Sequence, residues 1–144
     1  MDVLIDTNIL IDFLDDRRTF SDAASRIIQK SYEGKLKGYI AAHSIPDIFY
    51  ILRKDYSVEA RKEMLLGLCT TMEVVGIDKQ KLVSSLRNTD FNDFEDCIHL
   101  ECAKSVGAKY IVTRDTDDFT NSDIPAISPQ ELLEKIDEEG SAPV

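Results

Sequence analysis

The chain has 144 residues, 43% of them hydrophobic and 31% charged. That is enough apolar surface for one core, too much for a disordered chain, and below the roughly 250 residues at which cores divide. A formal net charge of −10 argues against general adhesion to nucleic acid or to an anionic lipid surface. The opening MDVLID has no basic leader, and every apolar stretch falls short of the roughly 20 residues a membrane helix needs. The expectation is therefore a cytoplasmic enzyme or binding module with no membrane partner.

In chain order, Val3–Ile5 reads as a first buried strand, followed by helical spacing over Ile9–Leu14 and over Ala23–Tyr32, the latter with Ser21 as its cap. Gly34 and Gly38 bracket a turn into a second strand, Tyr39–Ala42, and helices are predicted over Ile45–Arg53 and Val58–Leu68. A third strand is expected at Val74–Ile77, a short helix at Leu82–Leu86, and a long helix at Phe94–Val106 ended by Gly107. A fourth strand follows at Tyr110–Val112, a weaker one at Ala126–Ile127, and a last helix at Leu132–Ile136 with Ser128 as cap and Pro129 in its first turn. Strands apolar on both faces, alternating with helices, predict an α/β fold: a three-layer sandwich whose central parallel sheet is covered by helices on each side. Residues 1–136 are expected to form one domain and 137–144 a frayed tail.

Cysteine and charge placement narrow the chemistry. Cys69, Cys97 and Cys102 are odd in number, form no CxxC and lie among apolar residues, so they are expected to be buried reduced thiols, with too few histidines for a zinc cage. Met1 to Lys62 holds ten acidic and ten basic residues, whereas Glu63 to Val144 holds seventeen acidic and seven basic. The second part must therefore concentrate carboxylates. No Gly-rich phosphate loop is present in the sequence.

In open parallel sheets ligands bind beyond the carboxyl ends of the strands. Asp6 follows the first strand, Asp115 follows the fourth with Asp118 three residues on, and Asp93 and Asp96 open the long helix. If the first and fourth strands are neighbours, Asp6, Asp96 and Asp115 or Asp118 converge. Such a group repels itself unless a cation neutralises it, and oxygen-only ligation suits Mg²⁺ or Mn²⁺, ions able to promote phosphodiester hydrolysis. The alternatives are structural: Asp93 as a cap, Asp96 as a helix-dipole partner, Asp115 and Asp118 as turn formers, and Asp12, Asp15 and Asp16 as solvated charge.

Three segments, Asp6-Thr7-Asn8, Asp93-Phe94-Glu95-Asp96 and Thr113-Arg114-Asp115-Thr116-Asp117-Asp118-Phe119, together resemble the PIN domain, and above all the VapC-like toxins of toxin-antitoxin pairs. The resemblance implies a metal-dependent endoribonuclease with an RNA substrate, commonly a homodimer, inhibited by a cognate antitoxin. It implies Asp6, Asp96 and Asp115 as metal ligands, with Asp118 adding charge or only shape. Thr7 and Asn8 would hold the Asp6 loop, and Thr113 would orient a carboxylate or a metal-bound water. The family's usual Glu on the helix after the second strand is matched here by Asp47, one methylene shorter and preceded by Pro46, so that a plain N-terminal helix charge is its alternative role.

Substrate contacts are less defined. Arg53, Lys54, Arg61 and Lys62, with Tyr50 or Tyr56 for base stacking, are expected around RNA phosphates or on a solvated basic face, and Arg114 against the scissile phosphate or a carboxylate. His99 is expected to lie on the helix surface or to pack rather than to act as a base. Two rival functions remain: a non-catalytic PIN-like scaffold binding RNA or protein, and a receiver-type phosphotransfer domain, which the absence of an acidic pair or DxDxT after the first strand disfavours.

Overall fold

The computed structural model describes residues 1–141. β1 (Asp2–Ile5) runs into α1 (Thr7–Leu14) and α2 (Ser21–Tyr32), then β2 (Lys37–Ala41), α3 (Ser44–Ile51), a 3-10 turn (Leu52–Lys54) and α4 (Val58–Thr71). β3 (Glu73–Val75), α5 (Lys79–Arg87), α6 (Phe94–Ser105) and β4 (Tyr110–Val112) follow, with a second 3-10 turn (Thr116–Phe119), β5 (Ala126–Ile127) and α7 (Pro129–Ser141). The sheet order is β3-β2-β1-β4-β5, and every pairing is parallel.

β1 is central because Val3, Leu4 and Ile5 are apolar on both faces and fully buried. Val3 and Ile5 pack into one core with Ile9, Leu10, Ile27 and Leu132, while Leu4 points to the opposite core with Tyr39, Ile98, Ile111 and Phe119. The two cores are the two interfaces of a three-layer sandwich. β1 pairs with β2 on one side and β4 on the other, so the chain reverses its winding direction between them, and a crevice opens at that switch point.

Local details depart from the sequence reading in instructive ways. Gly38 lies inside β2 rather than in the turn, and a Cβ there would stand 3.0 Å from Met72 Sδ and 3.1 Å from Ile5 Cδ1, so close packing and not turn conformation requires glycine. Gly107 does end α6, with φ of +65°. Ser21 is the first residue of α2 but makes no capping bond. The hydrogen bonds of Asp78 to Lys81 N and of Ser128 to Glu131 N start α5 and α7. α3 ends at Ile51 and β3 at Val75, both earlier than expected. α7 continues to Ser141, so most of the segment expected as a tail is helical, and its remainder, 142–144, lies outside the described residues.

Two groups of side chains require correction. Cys69 is exposed, whereas Cys97 and Cys102 are buried, and burial pushes the Cys102 thiol up to about 11. Asp12 and Asp15 are not solvated. Asp12 is 1% exposed and takes a 2.6 Å bond from Arg114 Nε, while Asp15 accepts from Arg17 Nε at 2.9 Å, which holds its carboxyl below the usual range.

Candidate functional site

The end of β1 places the first carboxylate. Ile5 is in register with Val112, and the Asp6 backbone N–H donates to Val112 O at 2.9 Å, so Asp6 and Thr113 leave the sheet side by side. Thr113 Oγ donates to Asp6 Oδ2 at 2.7 Å in a buried bond, and Thr7 N donates to Asp6 Oδ1 at 2.7 Å, capping α1. Asp6 therefore serves both as helix cap and as a fixed carboxylate, and Asn8 is free for another task. Its Nδ2 donates to Asp115 Oδ2 at 3.0 Å and approaches Thr113 Oγ at 3.4 Å, while Thr113 Oγ accepts from Asp115 N at 3.0 Å. Asn8 Oδ1 is buried and has no partner among the described residues.

The start of α6 delivers Asp93 and Asp96, and the 3-10 turn after β4 delivers Asp118. Asp93 Oδ1 accepts from Glu95 N at 2.8 Å and Asp96 N at 3.2 Å. The capping role is thus real, and it aims Asp96 toward the crevice. Burial first, then the charges of Asp93, Asp6, Asp118 and Asp115, push Asp96 up to about 7. Asp118 is raised by the same crowding, again with burial the largest cause. These effects identify one acidic bay shared by Asp6, Asp93, Asp96, Asp115 and Asp118. A cleft of about 310 Å³ lined by Phe91, Asp93, Asp96, Asp118 and Asn121 opens onto it. A larger hollow of about 700 Å³ lies at the amino ends of the strands, beside Met1, Lys37 and Glu73, and holds no comparable set of carboxylates.

Asp47 stands at the side of this bay. It lies beside Glu95, whose carboxyl is raised by burial and then by the charge of Asp47. His43, Asp47 and Glu95 each offer one ligand atom, and these atoms lie within 4.8 Å of one another. Both His43 ring nitrogens are buried without a partner among the described residues, and burial followed by the neighbouring His99 charge depresses that ring to about 4. Sequence reasoning missed His43 and Glu95, although the His43-x3-Asp47 spacing, one helical turn, and the Glu95 beside Asp96 were visible.

Of the surface and packing positions expected for His99 the buried one is observed, but it is more than packing. Its Nδ1 donates to Glu95 O at 3.0 Å, which leaves Nε2 facing Thr7 Oγ and Ser44 Oγ at 3.4 Å each and Asp6 Oδ1 at 3.5 Å. Thr7 and Ser44 are themselves 2.7 Å apart. One imidazole therefore ties together the β1–α1 loop, α3 and α6, the three elements that carry Asp6, Asp47 and Asp96.

The basic residues divide. Arg61 is buried, donates to Phe49 O at 2.6 Å and lies over the Phe49 ring, so it braces α4 against α3 and is not available to RNA. Arg114 is likewise paired with Asp12 and stacked on Phe20, so of its two expected roles the carboxylate pairing is the observed one. Tyr56 packs against the core. Arg53, stacked 3.7 Å from the exposed Tyr50 ring, and the exposed Lys54 and Lys62 remain on the surface.

The PIN domain family model matches residues 2–117. The chain belongs to the PIN domain family. It is 23% identical over 137 residues to Ribonuclease VapC1 of Aquifex aeolicus (strain VF5), covering 92% of this chain and 94% of that protein. Among solved structures it is similar to a toxin-antitoxin complex from Klebsiella pneumoniae (21% identity, TM-score 0.66, 88% of this chain and 97% of that one). It is also similar to Mycobacterium tuberculosis VapC20, a Sarcin-Ricin loop cleaving toxin (11% identity, TM-score 0.62, 76% and 86%). In this PIN domain the carboxylates gather at the switch point of the sheet, between β1 and β4. The donor set fits a hard divalent cation: Asp6, Asp96, Asp115 and Asp118 offer oxygen only, and the orphaned Asn8 Oδ1 offers an acceptor to a water beside it.

Proposed function

We propose that this protein is a metal-dependent endoribonuclease of the VapC type, acting in the cytoplasm as the toxin of a toxin-antitoxin pair. The observation that carries the reading is the convergence of Asp6, Asp96, Asp115 and Asp118 on one crevice, crowded enough to push Asp96 up to about 7. Asp6, Asp96 and Asp115 would hold Mg²⁺ or Mn²⁺, with Asp118 adding charge from the 3-10 turn. When bound, such an ion supplies Lewis acidity toward water and the phosphodiester. Thr113 and Thr7 N–H fix both Asp6 oxygens, and Asn8 fixes Asp115, so the carboxylates are held before the ligand arrives. Arg53, Lys54 and Lys62 are the cations left to meet RNA phosphates, with Tyr50 offering a stacking face.

An antitoxin and a second copy of the chain are the proposed partners. An antitoxin Arg or Lys inserted among the carboxylates would supply the missing positive charge. The exposed apolar side chains Tyr50, Ile51, Val58 and Leu66 on α3 and α4 support a protein partner. A non-catalytic scaffold is the second reading, favoured by Asp47 meeting Glu95 where the family pattern has a longer Glu. Incubation of the purified chain with a mixed RNA pool separates the two. Cleavage with Mn²⁺ or Mg²⁺ that stops with EDTA and in Asp6→Asn supports the nuclease, cleavage surviving EDTA refutes the metal dependence, and no cleavage of any RNA with Mn²⁺ favours the scaffold.

A further inference from the structure

The carboxylates of the acidic bay offer a cation nothing but oxygen. One step along α3 the chemistry changes, because a neutral imidazole enters the donor set. His43 precedes Ser44 at the start of α3 with helical φ and ψ of −68° and −19°, and Asp47 N donates to His43 O at 3.3 Å, so the two side chains sit one turn apart on the same face. Glu95 reaches the same place from the first turn of α6.

Two features of this trio ask for a ligand. The Asp47 and Glu95 carboxylates come from different helices and bring their oxygens within 4.8 Å of each other and of a His43 ring nitrogen, two like charges that a cation between them would relieve. Both ring nitrogens of His43 are closed off from solvent and unpaired among the described residues, an arrangement that proteins rarely leave unfilled because a buried polar atom without a partner has lost its water for nothing. The spacing is suitable too. Octahedral ligands about 2.1 Å from an ion stand about 3 Å apart when adjacent and about 4.2 Å apart when opposed, and the three donor atoms here lie within 4.8 Å of one another. Small side-chain adjustments would close the set, with waters completing it.

We propose that His43, Asp47 and Glu95 form a second cation position beside the acidic bay, one whose nitrogen donor makes this chain prefer Mn²⁺ and similar first-row ions to Mg²⁺. Imidazole raises affinity for first-row transition ions, whereas Mg²⁺ takes oxygen and gives up its waters reluctantly. The inference deepens the reading of the crevice as a cation centre, but it concerns ion binding alone and does not require that RNA be cleaved.

The test uses the full chain with the metal alone. Pulsed electron paramagnetic resonance of the Mn²⁺-loaded protein reads nitrogen bonded directly to the ion, and calorimetry reads the number and strength of sites for Mn²⁺ and, separately, Mg²⁺. The wild type should give a directly bound nitrogen signal that His43→Leu loses, with Mn²⁺ affinity at that position falling at least roughly tenfold while Mg²⁺ binding scarcely moves. Glu95 is exposed, so Glu95→Gln should fold normally, keep the nitrogen signal at saturating Mn²⁺ and weaken Mn²⁺ by a comparable factor; it carries the test if His43→Leu fails to fold. A saturated wild type without bound nitrogen, a signal unchanged in His43→Leu, or Glu95→Gln binding Mn²⁺ like the wild type would each overturn the proposal. A chain that binds Mn²⁺ through nitrogen yet cleaves no RNA would keep it and remove the nuclease assignment.

Discussion

Asp96→Asn should stabilise the metal-free protein in a pH-dependent way. The carboxyl moves from an ordinary 3.8 in the unfolded chain to about 7 in the fold, chiefly through burial and then through Asp93, Asp6, Asp118 and Asp115. The folded state therefore binds the proton more tightly. Stability conferred by that proton is complete below pH 3.8 and is lost as pH rises toward 7, so above neutrality the ionised group opposes folding. At 1.36 kcal/mol per pKa unit the unscreened figure is about 4 kcal/mol, which solvent and counter-ions around a partly exposed group reduce to about 1–2 kcal/mol. For a chain of this length that is an increase in Tm of about 3–6 °C. Thermal melts in EDTA, run from pH 5 to pH 8, should show the variant melting higher than the wild type at pH 8 and the gap narrowing toward pH 5. Added Mg²⁺ should raise the wild-type Tm and do much less for the variant. A variant no more stable at pH 8, or one whose advantage is the same at both ends, would refute the picture of a crowded carboxylate relieved by a cation.

Further outcomes follow from the same contacts. Asp6→Asn should lower RNA cleavage by at least about a hundredfold with an unchanged circular dichroism spectrum, because the amide oxygen can still accept from Thr7 N while the ligand charge is gone; retained activity would remove Asp6 from the site. Arg114→Ala should cost about 2–3 kcal/mol in urea unfolding, since Asp12 is left buried with only Arg18 at 3.9 Å, and it should leave the KM for RNA nearly unchanged. A raised KM without loss of stability would restore Arg114 as a phosphate contact. Expressed without an antitoxin, the wild type should slow growth relative to Asp6→Asn at equal protein levels, and equal growth with cleavage verified in vitro would argue against the toxin role.

The sequence carried the fold because its strands were short, apolar on both faces and separated by helical periods, and β1 next to β4 followed from the switch-point rule once Asp6 and Asp115 were seen to end strands. It carried the acidic bay because position after a strand fixes where a carboxylate goes. What it concealed depends on side-chain direction. Arg61 and Arg114 look identical to Arg53 in a list of cations, yet two of the three are consumed by a carbonyl and a buried carboxylate. The same limit hid Glu95, whose nearness to Asp47 and His43 on another helix is a tertiary quantity without a local signature.

The imidazole of His99 also constrains how this chain can change over time. Its Nδ1 needs a carbonyl and its Nε2 sits against two hydroxyls that are themselves 2.7 Å apart. A leucine at position 99 would leave Thr7 and Ser44 facing hydrocarbon, so it is tolerable only in a background where those positions have already lost their oxygens. A glutamine could satisfy both neighbours at once, offering an amide N–H to Glu95 O and an oxygen to the hydroxyls. Substitutions at 7, 44 and 99 should thus be accepted or rejected as a set, and a lineage that drifts at any one of them is held to a narrow route through sequence space by three side-chain atoms in mutual contact.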